Sequence, residues 1–313
     1  MASNFIVAIG AVLPMFLQML VGVYVKKARL LNEVELNHVN RMAFRVFFFF
    51  MMFYNIYTTN IETAFRPGLM LFGGLGLLGV VLVATLFTCT IEKDNRRRGA
   101  MIQAMFRSNF VFMGIPLIMN TFGDDMIAIP TMMIAIIVPL YNIISVIILE
   151  TFRGGSFNVA HIILGVFKNP MIQGALLGAI LLIAGVKIPA PFLKPIQQIA
   201  AATTPLALII LGASFKAGTF HHHLRQLVIA VSAKLIVVPA VMIGLAVFLG
   251  FRGIELVTIL GIFATPCAVA GFAMAQQMNS DAELAGNCIV YTSAFSCITM
   301  FAWMLALKTL GLF

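Results

Sequence analysis

Arg107-Ser108-Asn109-Phe110-Val111-Phe112-Met113-Gly114-Ile115-Pro116 is the stretch on which the reading of this chain turns. It lies inside a run apolar enough to cross a bilayer, as does a second stretch around Thr265-Pro266, and each carries a proline beside polar or small residues. Proline removes a backbone donor and its ring clashes with the carbonyl four residues back, so the helix is expected to open or kink at Pro116 and at Pro266. Backbone groups freed in this way cannot face hydrocarbon; they persist only where protein buries them or where they line a cavity. Two interrupted spans in matching positions of two half-chains point to the binding site of a membrane carrier.

Composition agrees. Of 313 residues, 61% are hydrophobic and 10% charged, with a mean hydropathy of +1.04, against roughly 25% charge in a soluble domain. A spanning helix needs about 20 apolar residues. The sequence supplies ten candidates: Phe5 to Val25, Asn40 to Thr59, Leu69 to Ile91, Ala100 to Phe122, Met126 to Phe152, Ile162 to Val186, Phe192 to Ala217, Leu224 to Gly250, Ile254 to Met278 and Leu284 to Leu312. They make one all-α membrane domain, and the first run, followed by Lys26, Lys27 and Arg29, is expected to stay as a span rather than leave as a signal.

The net charge of +9 is explained by topology rather than by nucleic acid. Thirteen of the 20 Lys and Arg belong to one set of alternate connections or the helix ends beside it. Five, Arg66, Lys187, Lys194, Arg252 and Lys308, belong to the opposite set, and Arg107 and Lys234 lie within spans. Cytoplasmic loops concentrate Lys and Arg, so a multi-pass protein of the cell membrane with both termini extracytoplasmic is expected. The four cysteines, Cys89, Cys267, Cys288 and Cys297, have no metal-ligand spacing and read as small buried apolar residues.

A faint repeat divides the chain. Pro14-Met15 followed by Gly22 recurs 156 residues on as Pro170-Met171 followed by Gly178. Five spans per half is an odd number, so the second half enters the membrane in the opposite sense. The expected organisation is two inverted five-helix repeats, 1–153 and 162–313, joined by a short cytoplasmic linker, 154–161, with the fourth and ninth spans as counterparts.

Several motifs in order resemble the auxin efflux carrier family, which includes plant auxin exporters and bacterial malate/malonate-type permeases. They are Asn109 with Gly114-Ile115-Pro116, Asn169-Pro170, Pro205-Leu206-Ala207-Leu208 with Leu211-Gly212, Lys234-Leu235 with Pro239, and Thr265-Pro266 with Ala275-Gln276-Gln277. The resemblance implies broken fourth and ninth helices crossing at the midplane, elevator-type alternating access and a homodimer. Two departures stand out: Phe47-Phe48-Phe49-Phe50 occupies the place of a usual proline in the second span, and the long central loop of the plant exporters is absent.

Asn109 is the first choice for substrate contact, since its amide offers two donors and an acceptor; the plainer alternative is a helix-helix hydrogen bond, worth about 0.6 kcal/mol in membranes. Pro116 and Pro266 make the crossover, with Gly114 and Thr265 drawn in beside them, and the positive amino ends of half-helices there favour an anion. Lys234 lies well inside the eighth span with no Asp or Glu deep in any span to neutralise it. A cation near the bilayer centre costs at least about 2.5 kcal/mol, so it either binds the anion or holds the crossover by donating to freed carbonyls. Asn55, Gln18, Asn142, Ser214 and Ser293 are further polar residues on spans, expected mostly as packing contacts with one or two lining the pocket, and Asn55 is counted among the substrate-binding candidates. Gln276 and Gln277, with Ser108 and Ser214, either hold a coupling sodium ion or support the crossover and the end of the ninth span. Arg107 is expected to snorkel toward the cytoplasmic surface.

Other signals carry no chemistry. Gly74-Leu75-Gly76-Leu77-Leu78-Gly79 matches a dinucleotide fingerprint in letters, but that fingerprint needs a strand, a turn and a helix. His221-His222-His223 reads as a solvated loop, Asp124-Asp125 as an exposed turn, and Arg96-Arg97-Arg98 as a topology signal beside lipid headgroups. No nucleophile-base-acid set, metal site or cofactor motif emerges, so an enzyme is not expected. The expected function is a secondary permease of small organic anions, with carriage of larger amphipathic acids, bile-acid-like or indole-containing, or a non-transporting membrane sensor as alternatives. Every carboxylate lies in a connection or close to a span end, and the histidines are placed similarly, which disfavours a proton relay; sodium coupling and uniport driven by potential, about 2.3 kcal/mol per charge per 100 mV, stay open.

Overall fold

The computed structural model describes residues 2–58, 66–123, 128–153, 159–215 and 223–313. The Asp124-Asp125 turn, His221, His222 and most of the linker 154–161 lie outside them. Among the described residues the chain is helices and connections, with one isolated antiparallel bridge between Ser108 and Cys267.

The order is α1 (Ala2–Lys27), α2 (Glu33–Met42), a wide π-helical turn at Ala43–Phe47, α3 (Phe48–Tyr57), α4 (Pro67–Ile91) and α5 (Asn95–Phe106). A second wide turn at Phe110–Gly114 leads into α6 (Ile115–Phe122), then α7 (Ala128–Thr151), α8 (Val159–Lys168), α9 (Pro170–Ile183), α10 (Ala190–Ser214) and α11 (Leu224–Ser232). A third wide turn at Ala233–Val237 precedes α12 (Val238–Phe248), α13 (Gly253–Ala264), α14 (Ala270–Gln277) and α15 (Ala282–Thr309). By length and composition five of these are fit to cross a membrane: α4, α7, α10, α11 continued through α12, and α15.

Local chemistry explains the ends. The Asn32 side chain accepts the Glu35 N–H at 2.9 Å while the Glu35 carboxylate accepts the Asn32 N–H at 2.7 Å, a reciprocal cap that starts α2. The helical segment expected as the second span therefore begins at Glu33, with a polar first turn, rather than at Asn40. Pro239 frees the carbonyl of Leu235, four residues back, and the Trp303 indole N–H donates to it at 3.1 Å.

Two expectations need correction. The fourth span does not open at Pro116: helix α5 stops at Phe106, the break is Arg107–Asn109, and Pro116 follows directly on the wide turn Phe110–Gly114, within helical backbone. The sixth span is not continuous either. It stops at Lys168 and restarts at Pro170, because a proline pushes the residue before it into extended backbone; Asn169 has φ −72° and ψ 127°, and its side chain caps α9 by accepting the Met171 N–H at 2.9 Å. The ninth span breaks at Thr265–Val269, around Pro266, as the sequence led one to expect.

Small residues set the closest approaches between helices. Gly22 of α1 lies against the backbone of Ile209 and Ala213 in α10, and Gly212 of α10 lies against Met19. Gly174 and Gly178 of α9 lie in the same way against the backbone of Phe49 and Phe53 in α3. Such contacts let helices meet backbone to backbone, the chief source of attraction where lipid is as apolar as the side chains. At the α4–α5 corner the buried Glu92 accepts the N–H groups of Lys93 at 2.8 Å and Asp94 at 2.9 Å and the Gln226 amide at 2.6 Å, which ties the corner to α11.

A Cβ at Gly22 or Gly212 meets backbone that cannot move aside, so Gly22→Val and Gly212→Val are each expected to destabilise by about 1–3 kcal/mol. Gly79→Ala, with open space around it, leaves the melting temperature in detergent unchanged or slightly raised. Burial raises the Glu92 pKa, but the bonds from Asp94, Gln226 and Lys93 and the charge of Arg97 outweigh it, and the carboxyl is held below its ordinary 4.5. A depressed carboxyl pKa stabilises the fold above the unfolded value and loses that contribution as pH falls through the folded one. Glu92→Gln is accordingly expected to melt below the parent at neutral pH, and the gap to close as pH drops beneath about 4.5.

Candidate functional site

The two breaks meet. Asn109 N–H donates to the Pro266 carbonyl at 2.8 Å, and Ser108 and Cys267 form the antiparallel bridge. Neither segment has helical partners at that point, so each answers part of the other's backbone. The carbonyl end of α13 is closed by side chains: Thr265 Oγ1 donates to Gly261 O at 2.9 Å, Tyr141 OH to Ile262 O at 2.7 Å, and Lys234 Nζ to Phe263 O at 3.3 Å. Pro266 is the reason Ile262 needs Tyr141, since a proline cannot donate to the carbonyl four residues back. Further along the same break, Cys267 N–H donates to Thr292 Oγ1 at 3.1 Å and Cys267 Sγ to Ala104 O at 3.2 Å.

Beside the crossing lies a chamber of about 380 Å³. Its walls come from α3 (Phe48, Met51, Tyr54, Asn55), the first break and the turn after it (Arg107 to Phe112), α7 (Val138, Tyr141, Asn142), α10 (Gln197, Ala200, Ala201, Thr204, Ala207) and the second break (Ala268 to Ala270). Val111, Phe112, Gln197 and Ala201 are exposed, so the chamber reaches the surface of the chain. Its lining is mostly apolar with a few convergent polar groups, the usual make-up of a small-molecule site.

Of the residues singled out from sequence, Asn109, Asn55 and Ser108 line the chamber. The Asn109 amide has Met15 Sδ at 3.6 Å as its side-chain acceptor. The others stand back from it. Lys234 is fully buried and donates to Ser108 Oγ and Phe263 O, so it lies behind the crossing and braces it. Gly114 is there for close approach: a Cβ on it would crowd the Phe110 ring and the backbone of Gly261. Pro116 is exposed on α6, Thr265 is turned into its own helix end, and Pro266 supplies its carbonyl to Asn109. Gln276 bridges Asn40 and Asn37 of α2, Gln277 ends α14, and Ser214 ends α10 with a buried hydroxyl that has no partner among the described residues. The described residues contain no cluster of His, Cys, Asp and Glu able to hold a metal ion.

Arg107 corrects the sequence reading. It does not snorkel; it is 4% exposed and forms part of the chamber wall. Nη1 donates to Ser145 Oγ at 3.0 Å and Met274 Sδ at 2.7 Å, and Nη2 to Asn142 Oδ1 at 2.6 Å, while Nε has no acceptor. Snorkelling was the wrong inference because it assumed a continuous helix carrying the side chain toward an aqueous end. In the break the backbone turns, with φ −80° and ψ 118° at Arg107, and the side chain is taken up by α7 and α14. Asn142 and Ser145, three residues apart on α7, were the available signal, since they sit on one helical face.

Residues 155–304 match the model of a family described as membrane transport protein. An uncharacterized transporter of Methanocaldococcus jannaschii is 26% identical over 235 residues, which cover 73% of this chain and 73% of that protein. These matches bear out the resemblance drawn from the motifs and support a transporter. With five described helices fit to cross a bilayer, they also support a multi-pass membrane protein.

If Lys234 braces the crossing, Lys234→Met leaves the Phe263 carbonyl unanswered, an omission that costs about 1–3 kcal/mol for a buried group. The expected result is a lowered melting temperature in detergent, with Lys234→Arg nearer the parent than Lys234→Met.

Proposed function

We propose that this chain is a secondary permease for small organic anions, which it holds in the chamber beside the two crossed breaks. The observation that carries the reading is the chamber itself: two interrupted helices bonded to each other through Asn109 and Pro266, with Asn109, Ser108 and the buried Arg107 among its lining residues. Interrupted helices at a shared centre are how membrane carriers present polar backbone to a solute, and a site lined by donors with a fixed positive charge favours an anion.

The reading includes the architecture of ten spans in two inverted five-helix halves. The packing supports it. The first helix of each half lies along the second span of the other, α1 on α10 and α9 on α3, and the glycines of the repeated Pro14-to-Gly22 and Pro170-to-Gly178 pattern sit at those two contacts. The two breaks run antiparallel, the relation that inverted halves require. The chamber lies between α3 and α10 on one side and the breaks with α7 on the other. That division suits an elevator-type movement, in which the breaks carry the solute past α3 and α10. By the distribution of Lys and Arg, this wall faces the extracytoplasmic half of the membrane. Homodimerisation follows by analogy with the family.

A second reading, carriage of acids with a larger apolar body such as an indole ring, is favoured by Phe48, Met51, Phe110 and Phe112 on the wall. Ligands that bind only the native state raise its melting temperature. A thermal-shift screen of short carboxylates against aromatic and steroid acids therefore separates the two.

Purified protein in liposomes is expected to give saturable uptake of at least one labelled organic acid. Asn109→Ala removes one hydrogen bond to the solute, worth about 1.5 kcal/mol or more when the partner is charged, and should weaken apparent affinity at least about tenfold. Wild-type affinity in Asn109→Ala for every transported acid rules out this site.

A further inference from the structure

Arg107 is the only charged residue on the described wall of the chamber, and no carboxylate lies within ion-pair distance of it among the described residues. A guanidinium has five N–H groups. Three are taken by Ser145, Met274 and Asn142, which leaves the one on Nε and one on Nη2. All three acceptors are neutral, and one is a thioether, a weak acceptor. The charge is therefore held in place without being neutralised. Removed from water and unpaired, such a group is costly to keep, and in membrane proteins it marks a solute pathway. A carboxylate in the chamber supplies the negative charge that is missing.

We propose that Arg107 is the fixed countercharge of the transported carboxylate and that it makes the carrier an exchanger. The inference rests on the permease reading above. Arg107 belongs to the same break as Ser108 and Asn109, so it travels with the bound solute. Loaded, the moving segment crosses the low-dielectric barrier as a matched pair of charges. Empty, it must cross with a bare guanidinium. The empty carrier consequently returns far more slowly than the loaded one, and net transport gives way to exchange of one anion for another. The same count sets the substrate class. One cation on the wall matches one carboxylate, and a second carboxylate on the same molecule finds only neutral neighbours, so monocarboxylates are preferred to dicarboxylates.

The test uses the full chain in liposomes, in a chloride-free zwitterionic buffer with the membrane potential held at zero. Vesicles are loaded with labelled pyruvate, benzoate, malonate or malate, and efflux is followed into buffer alone or into the same unlabelled acid. Efflux into the acid is expected to exceed efflux into buffer about tenfold or more, the factor that a barrier difference of 1.4 kcal/mol gives, with the monocarboxylates moving best. Arg107→Lys, which keeps the charge, should keep that ratio at lower affinity; Arg107→Gln should bring the two rates together. Equal rates in the parent protein overturn the exchange mechanism and leave the permease standing. An Arg107→Gln variant with the parental ratio overturns the assignment to Arg107. Should Arg107→Gln fail to assemble, Arg107→Lys with parental affinity for every transported acid overturns the assignment instead. No movement of any probe in either mode overturns the permease and this inference with it.

Discussion

Two helices stop inside an apolar body, and the peptide groups they leave bare have to find partners there. Everything near the chamber follows from that requirement. An unsatisfied backbone group in hydrocarbon costs several kcal/mol, which is too much for a break to stand alone. The two breaks solve it together: the Asn109 N–H reaches the Pro266 carbonyl, and Ser108 pairs with Cys267 like a fragment of antiparallel sheet. What the pair cannot satisfy is given to side chains from α7, α15 and the wide turn before α12, in the persons of Tyr141, Thr292 and Lys234. The polar residues of the spans are thus consumed in order, first by the backbone and only then by anything bound.

Two of the three wide turns stand just ahead of a proline. The turn at Phe110–Gly114 precedes Pro116, and the turn at Ala233–Val237 precedes Pro239. A turn with one extra residue shifts the register of the carbonyls ahead of the proline ring and gives it room. At the second, the wide turn also includes Lys234, whose amine reaches the crossing, while the carbonyl of Leu235 goes to Trp303. Structural repair and site construction are in this way one act.

How much of this could be read from the sequence depended on whether the cause was local. The membrane class, the involvement of residues near 109 and 266, and the pairing of Gly22 with Gly178 as equivalent positions all rest on spacing and composition, which the chain displays directly. The position of the first break did not. Proline marks a place where a helix tolerates interruption, but Pro116 is absorbed at the start of α6, and the interruption moved to Arg107–Asn109, where the second break offers partners. A partner some 160 residues away in the chain leaves no mark in the local pattern. Arg107 was misjudged for the same reason: its acceptors on α7 and α14 are distant in sequence. The break at Asn169 is legible from Asn169-Pro170, a cap followed by a proline, but the apolar run that continues through it hides the interruption.

The two intramembrane cations are a matched pair with different employment. Each broken helix ends its first half with carbonyls pointing at the crossing, a partial negative charge that favours a cation. Lys234 answers the end of α13 directly, through the Phe263 carbonyl, and spends itself there and on Ser108. Arg107 stands at the end of α5, yet its donors go to side chains rather than to the carbonyls of that helix. Those acceptors fix the plane of the guanidinium without cancelling its charge. A positive group that is oriented, desolvated and not consumed by the backbone is what an anion site requires. The same field that serves Lys234 as a structural brace therefore leaves Arg107, and not Lys234, as the group with charge to offer a solute.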